Sequence, residues 1–375
     1  MRIAIDVRKY QDFGIGTYIR NVIRQLARID HRTEYVLLCR EQDRAGLEQL
    51  PANFRAVVEP SRPYSFAEQI RIPIALRRER VDLFHAPHYV LPPLIHCRSV
   101  VTIHDIIHLV FPQYLPGRLA YAYARASLWT AAHRSDRILT VSETSKLDIL
   151  RRFRVPADKI TVVYNAIDDR LVVAPSEEVV ERVRARYQLR DPYALYVGNI
   201  KPHKNLERLI EAFDRLRREP GFDTLKLIII GDQISKYQGL RRAVHEHKLH
   251  KSVRFFGFVP LDTLAVLYRL AGVFVFPSLY EGFGLPPLEA MASGVPVVTS
   301  NVSSLPEVVG DAAILVDPYD PASIADGMRA ALTDGELRER LRERGLARSR
   351  EFSWERSVEC VRQVYEEVMQ QAQPI

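Results

Sequence analysis

Cysteine is scarce: Cys39, Cys97 and Cys360 are the only three in 375 residues. Odd in number and far apart, they supply neither a disulfide framework nor a Cys-rich zinc site, and point to a reducing, intracellular compartment. Long apolar runs are missing too. The apolar runs present, such as Leu227 to Ile230 and Val273 to Phe276, are strand-sized against the ~20 residues of a membrane span. The opening Met1-Arg2-Ile3-Ala4-Ile5-Asp6 places a carboxylate where a secretory signal needs its apolar core. A soluble, cytoplasmic protein is expected. There is no tandem repeat, no low-complexity tract and no Asp-x-Asp cluster that would hold a divalent cation.

Charge of one sign is not in large excess. Lys+Arg 53 against Asp+Glu 46 leaves a net +7 and a pI near 9.3. The basic residues are scattered among acidic ones, without zinc-finger spacing or an aromatic-rich RNA-binding motif, so nucleic acid is not an expected partner. The excess suits phosphorylated small molecules or an anionic membrane surface.

The chain is otherwise of globular composition, 47% hydrophobic and 26% charged, and its length suggests two domains at ~150 residues each. Short apolar runs alternate with helical patterns twice over. The first series opens at Ile3 to Val7 and continues with strands at Tyr35 to Cys39, Val81 to Phe84, Val100 to Ile103, Ile138 to Val141 and Thr161 to Val163. The second opens at Tyr193 to Val197 and continues at Leu225 to Ile230, Val253 to Phe256, Val273 to Phe276, Val295 to Val298 and Ile314 to Val316. Continuous apolar strands separated by helices mean parallel sheets covered on both faces. The fold class expected is α/β, two Rossmann-like, doubly wound domains facing across a cleft. The first covers residues 1–170 and the second 191–353, with a linker at 171–190 that holds Pro175 and a charged helix from Ser176 to Arg190. Ligands of such sheets bind at the carboxyl ends of the strands.

One stretch at such an edge is the most informative: Pro277-Ser278-Leu279-Tyr280-Glu281-Gly282-Phe283-Gly284-Leu285-Pro286-Pro287-Leu288-Glu289-Ala290-Met291-Ala292-Ser293-Gly294. Pro286 and Pro287 suit the first turn of a helix and Gly294 its end. Gly282 and Gly284 let backbone N–H groups approach an anion, and the helix N-terminus adds partial positive charge. Two carboxylates beside an anion site, Glu281 and Glu289, make sense as acceptors for sugar and ribose hydroxyls. Lys204, in Gly198-Asn199-Ile200-Lys201-Pro202-His203-Lys204-Asn205, precedes the second domain's first helix. A fixed cation there can neutralise charge on a leaving diphosphate.

Other features are more ambiguous. His104 and Asp105 follow the strand Val100 to Ile103. With His108 they also imitate the H-E-x-x-H of zinc hydrolases, but that motif needs a helix, and here a strand precedes it and Pro112 follows closely. Gly14-Ile15-Gly16 resembles a dinucleotide turn, yet Ile19 occupies the third glycine's place, the loop from Asp6 is long and Glu41 is only loosely spaced for a ribose contact. Arg118, Arg125, Trp129, Tyr121 and Tyr123 would suit a basic aromatic face for a membrane, but the alternation of Ala with aromatics favours a helix packed on a sheet.

The segments quoted, together with GIGTYIRN, VTIHD, TVSE, FFGFV and FSWE in order, resemble retaining glycosyltransferases of family GT4 with the GT-B fold over essentially the whole chain. Glu281 and Glu289 match that family's E-x7-E motif, and the bacterial polysaccharide branch with mannosyltransferases is the nearest in character. The resemblance implies a nucleoside-diphosphate sugar as co-substrate, no metal and no other cofactor. It implies transfer of a hexose, mannose favoured, to a glycan or lipid-linked acceptor with retention, a donor phosphate oxygen serving as base. His104 would approach the sugar, Lys204 the diphosphate, Glu281 the sugar hydroxyls and Glu289 the ribose. Gly16, with Gly14 in a flexible loop closing over donor phosphate or acceptor, would join Lys201, Gly282, Phe283, Gly284 and Leu285 in completing the donor contacts. Where many members carry arginine, this chain has Asn199, so either Lys201 or Arg8 supplies a second phosphate cation. The helix 354–370 would cross back onto the first domain. The resemblance also places the enzyme in surface-polysaccharide synthesis, at the inner face of the membrane. Two readings stand beside it: a nicotinamide-dependent oxidoreductase and a non-catalytic sugar-binding protein.

Overall fold

The structure, a computed structural model, describes residues 1–189, 192–231 and 237–371. Arg190 and Asp191, the expected end of the linker and start of the second domain, lie outside the described residues. The chain divides into two compact units. One comprises Met1–Asn165 with the segment from Ser353 onward, the other Ala166–Phe352.

Among the described residues, the first unit holds seven strands: β1 (Arg2–Asp6), β2 (Glu34–Cys39), β3 (Phe54–Val58), β4 (Leu83–Ala86), β5 (Arg98–Thr102), β6 (Arg137–Thr140) and β7 (Ile160–Val162). They form one sheet in the order β3-β2-β1-β4-β5-β6-β7, with every pairing parallel. The second unit repeats the plan with β8 (Tyr193–Val197), β9 (Lys226–Ile230), β10 (Val253–Gly257), β11 (Val273–Phe276), β12 (Val297–Ser300) and β13 (Ile314–Val316). Its order is β10-β9-β8-β11-β12-β13, again all parallel. In both sheets the order reverses beside the first strand of the series, β1 or β8. Crevices at such switch points are where doubly wound sheets take ligands.

The central strands are buried along their length. Residues 273–276 and 193–197 are covered on both faces, as expected of strands between two helix layers. β3 escaped the sequence reading because Arg55 interrupts a short apolar run and the strand lies at the sheet edge, half-exposed. β4 and β12 each begin two residues later than the apolar runs suggested.

The expected linker at 171–190 is corrected. Helices Asp169–Val172 and Glu177–Tyr187 both pack on the Leu261–Leu270 helix of the second unit. Leu171 and Val183 are buried, the Tyr187 ring stacks on Phe256 at 4.7 Å, and Arg254 donates to the Tyr187 carbonyl at 2.6 Å. A few apolar anchors outweigh the charges that made the segment read as a spacer. At the other end of the chain, helix Trp354–Gln370 packs on helix Ile15–Ile29 of the first unit. It buries Val358, Val361, Val364 and Tyr365.

Candidate active site

In the second unit, the exits of β8 and β11 bring together residues 77 positions apart. After β8 the chain makes a single turn at Pro202–Lys204. Asn205 follows in the left-handed region with φ 62°. Its side-chain amide donates to the carbonyls of Pro277 at 3.0 Å and Pro318 at 2.6 Å, which fastens this turn to the β11 exit. The Leu279 N–H adds a bond to the His203 carbonyl at 2.8 Å. Lys204 is thereby held over the Phe276 ring, and its Nζ meets Glu281 Oε1 at 2.6 Å, both side chains largely buried.

The loop carrying Glu281 is fixed from the opposite side. Ser303 Oγ donates to the Glu281 carbonyl at 2.7 Å and accepts its N–H at 3.1 Å. Ser304 Oγ sits 2.9 Å from the same carbonyl and 2.7 Å from that of Phe283. Ser303 makes these contacts from φ 59°, a conformation costly for a non-glycine residue. Gly284 precedes helix Leu285–Ala292 at φ 115°, and a Cβ there would lie 2.8 Å from Leu305 Cδ2. Only glycine fits that approach. The Gly282–Gly284 segment leads directly into the amino end of the helix, with Leu285 as its first residue and prolines in its first turn, the strand–turn–helix order that the proline and glycine spacing indicated. The Phe283 side chain turns into the unit, edge-on to Phe352 at 5.5 Å.

Glu289, one turn into that helix, accepts a hydrogen bond from the Tyr268 hydroxyl at 2.8 Å. Burial holds its carboxyl above the ordinary glutamate range, and the Tyr268 bond partly offsets this. Lys201 is exposed at the mouth of the turn, and its carbonyl accepts the Lys204 N–H at 2.9 Å. Tyr268, Asn205, Ser303 and Ser304 were all missed as site residues. Asn205 stood in the quoted motif, but nothing in the sequence links the other three to the two glutamates.

In the first unit, His104 follows β5. Its Nε2 lies 3.0 Å from the Pro87 carbonyl, which can only accept, so Nε2 carries the proton. Burial lowers its pKa, and the neutral ring presents Nδ1 as an acceptor. The ring packs edge-on against Tyr18 at 5.0 Å. Tyr18 OH in turn meets Thr102 Oγ1 at 3.2 Å, and Thr102 meets His85, which bonds Tyr365 of the C-terminal helix at 2.6 Å. His108 is committed elsewhere, its Nδ1 bonded to Tyr89 OH at 2.9 Å. Among the described residues, no group of three or more His, Cys, Asp or Glu is arranged to hold a metal ion.

Two sequence expectations for this unit are corrected. Arg8 is no free phosphate cation: it is fully buried, forked onto both oxygens of Asp6 and bonded to Glu68 at 2.9 Å. Two carboxylates and the Ser61 carbonyl and hydroxyl occupy its donors. Adjacency to a ligand-facing strand end does not reveal which way a side chain points. Gly16 is not in a flexible loop but in the first turn of helix Ile15–Ile29. A Cβ there would come within 2.6 Å of the Tyr10 carbonyl, so its lack of a side chain serves close backbone packing.

Two family models cover most of the chain: "Glycosyltransferase Family 4" matches residues 14–171 and "Glycosyl transferases group 1" matches residues 180–348. The chain is 39% identical over 282 residues to O-antigen chain mannosyltransferase B of Escherichia coli, covering 75% of this chain and 73% of that one. It is 30% identical to the serotype-specific mannosyltransferase WbdA of Escherichia coli over 74% of this chain, and spans about a third of WbdA's length, 34%. Among solved structures it resembles Anabaena Alr3699/HepE in complex with UDP-glucose, with a TM-score of 0.79 at 18% identity, covering 98% of this chain and 100% of that one.

Proposed function

The chain belongs to family 4 of the glycosyltransferases, with the GT-B fold, and from that premise we propose that it transfers a mannosyl group from a nucleoside-diphosphate sugar. The acceptor is a glycan or lipid-linked glycan of a surface polysaccharide. Relatives named as mannosyltransferases, one of them of the O-antigen chain, support the sugar and the pathway, and a neighbour's UDP-glucose complex supports the class of donor. The dehydrogenase reading is not favoured.

The observation that carries the reading is the contact between Lys204 Nζ and Glu281 Oε1 at 2.6 Å beside the amino end of helix Leu285–Ala292. A cation, a hydroxyl acceptor and an anion-favouring helix end are the three groups a sugar diphosphate needs. In the reaction the acceptor oxygen bonds to the anomeric carbon as the bond from that carbon to the diphosphate oxygen breaks. The leaving diphosphate keeps the electron pair, and one of its oxygens takes the acceptor's proton, giving retention. Lys204 and the Gly282–Leu285 backbone offset charge as it grows on the diphosphate. Lys201 supplies the second cation. Glu281 accepts from sugar hydroxyls and Glu289 from the ribose, while His104, in the first unit, offers Nδ1 as a hydroxyl acceptor. No metal ion is required.

A thermal-shift panel of GDP- and UDP-sugars tests this, followed by NMR of the product formed from GDP-mannose and a mannose-terminated acceptor. A rise in melting temperature with GDP-mannose, an α-linked product and turnover in EDTA are expected. No shift with any nucleotide sugar would overturn the proposal.

A further inference from the structure

The first unit presents apolar side chains to solvent that its fold does not use. Phe66, Ile70 and Ile74 are spaced four apart, so they line one side of helix Glu68–Arg78 and the turn before it. They are 84%, 65% and 63% exposed. This helix abuts helix Arg118–Arg134: Gln69 Nε2 donates to Tyr123 OH at 3.2 Å, and the Phe66 and Tyr123 rings lie 6.3 Å apart. One turn before Tyr123, Leu119 is 88% exposed, and Trp129 further along is 53% exposed. The opposite face of the same helix, Ala124, Leu128, Ala131 and Ala132, fills the core. The helix thus packs on the sheet and shows an apolar outer face as well.

The charge around these side chains is one-sided. Segments 62–78 and 118–134 contain seven arginines, among them Arg62, Arg71, Arg118 and Arg125, and a single acid, Glu68. All seven arginines are exposed, whereas Glu68 is fully buried and paired with Arg8. Elsewhere on the surface, as along helix Gly335–Ser349, arginines alternate with glutamates.

We propose that this face docks the enzyme on an anionic lipid bilayer, Phe66, Ile70, Ile74 and Leu119 entering the headgroup–acyl boundary and the arginines meeting lipid phosphates. Both attractions act in the same direction on such a surface. A second copy of the chain would be a poor occupant, because it would press one arginine set against another with no exposed carboxylate between them. The proposal rests on the transferase reading only for its purpose, access to a lipid-linked acceptor, since the binding is measured without any donor.

Co-sedimentation with phosphatidylcholine vesicles, with and without phosphatidylglycerol, tests it. The wild type should pellet with the anionic vesicles only and be released by high salt. Ile70→Glu/Ile74→Glu and, separately, Arg118→Glu/Arg125→Glu should each weaken that binding by about tenfold or more, with melting temperature and the nucleotide-sugar thermal shift unchanged. Failure of the wild type to bind, or binding by both variants as strong as that of the wild type, would overturn the docking surface while leaving the transferase reading intact. A dimer in sedimentation velocity that Ile70→Glu/Ile74→Glu dissolves would overturn it too, by assigning the face to a second copy. Loss of the nucleotide-sugar shift in the wild type would count against the transferase reading alone.

Discussion

Removing Lys204 separates the two things the 2.6 Å contact does, holding Glu281 in place and meeting the leaving group. Unit charges at that separation attract by about 6 kcal/mol at an effective dielectric of ~20. Taking both largely out of water offsets most of this. Lys204→Ala strands a carboxylate with little solvent around it, which for a fully buried pair costs about 3–5 kcal/mol. Both side chains here keep a margin of solvent, so about 2–3 kcal/mol of lost stability is expected on the same scale. Lys204→Ala/Glu281→Gln strands no charge and should recover part of that loss, giving a coupling energy of opposite sign to the single effects. Turnover should fall by about 10²–10³-fold, roughly 3–4 kcal/mol, because the ammonium meets the diphosphate when its charge is greatest. Donor affinity should fall less, since the same oxygens carry less charge before the bond breaks. Urea denaturation of the four proteins measures the coupling, and initial rates with EDTA or with added Mg²⁺ measure the chemistry. Near-normal turnover by Lys204→Ala would remove Lys204 from the diphosphate and leave Lys201 as its cation. Rescue of the variant by Mg²⁺, or strict metal dependence of the wild type, would refute the metal-free route.

Three further outcomes follow from the same geometry. Glu289→Gln should weaken nucleotide sugar and free nucleotide alike, whereas Glu281→Gln should spare free nucleotide and lower turnover; equal loss of nucleotide affinity in calorimetry would refute the division of roles. Burial raises the Glu289 pKa and the Tyr268 hydroxyl lowers it, so nucleotide affinity should fall with pH at a higher value than a free glutamate would give. Tyr268→Phe should move that loss to still higher pH, and an unmoved profile would detach Tyr268 from the site. Burial pushes His85 and His88 down to about 3 from an ordinary 6.5, so both stay neutral in the folded unit while the unfolded chain takes up protons. Their contribution to stability is complete above about pH 6.5 and is lost as pH falls towards 3, by about 1.4 kcal/mol per pH unit for each. Denaturation at neutral and mildly acid pH reads that slope, which His85→Asn should flatten in part.

Most of the fold was legible because parallel strands covered on both faces must be continuously apolar. The run Val273 to Phe276 and its counterpart Tyr193 to Val197 admit no other reading. Where that rule weakens, so did the sequence. β3 is an edge strand broken by Arg55, and helix Glu177–Tyr187 is bound to the second unit by Val183 and Tyr187 among six charged neighbours. The glycines, prolines and two glutamates of 277–294 marked a site because each demands something local of the backbone. Ser303, Ser304 and Tyr268 make no such demand. A hydroxyl on a loop or a tyrosine on an amphipathic helix looks the same whether it faces solvent or a buried carbonyl, and only the fold brings it there.

The pairing of Lys204 with Glu281 also escaped the motif, and it changes what the motif can do. Read separately, one side chain serves phosphate and the other sugar. In the structure the two are partners, and each keeps capacity beyond the pair: the Lys204 ammonium has two further N–H donors and Glu281 a second carboxylate oxygen. On the proposed reading, a diphosphate takes the remaining donors of Lys204 while sugar hydroxyls donate to Glu281, so one ion pair meets both ends of the donor and each member positions the other. The loop that carries Glu281 is already in place, because its carbonyls and N–H are held by Ser303 and Ser304. Charges and dipoles set before the bond breaks are the arrangement in which electrostatic stabilisation costs least at the moment of reaction.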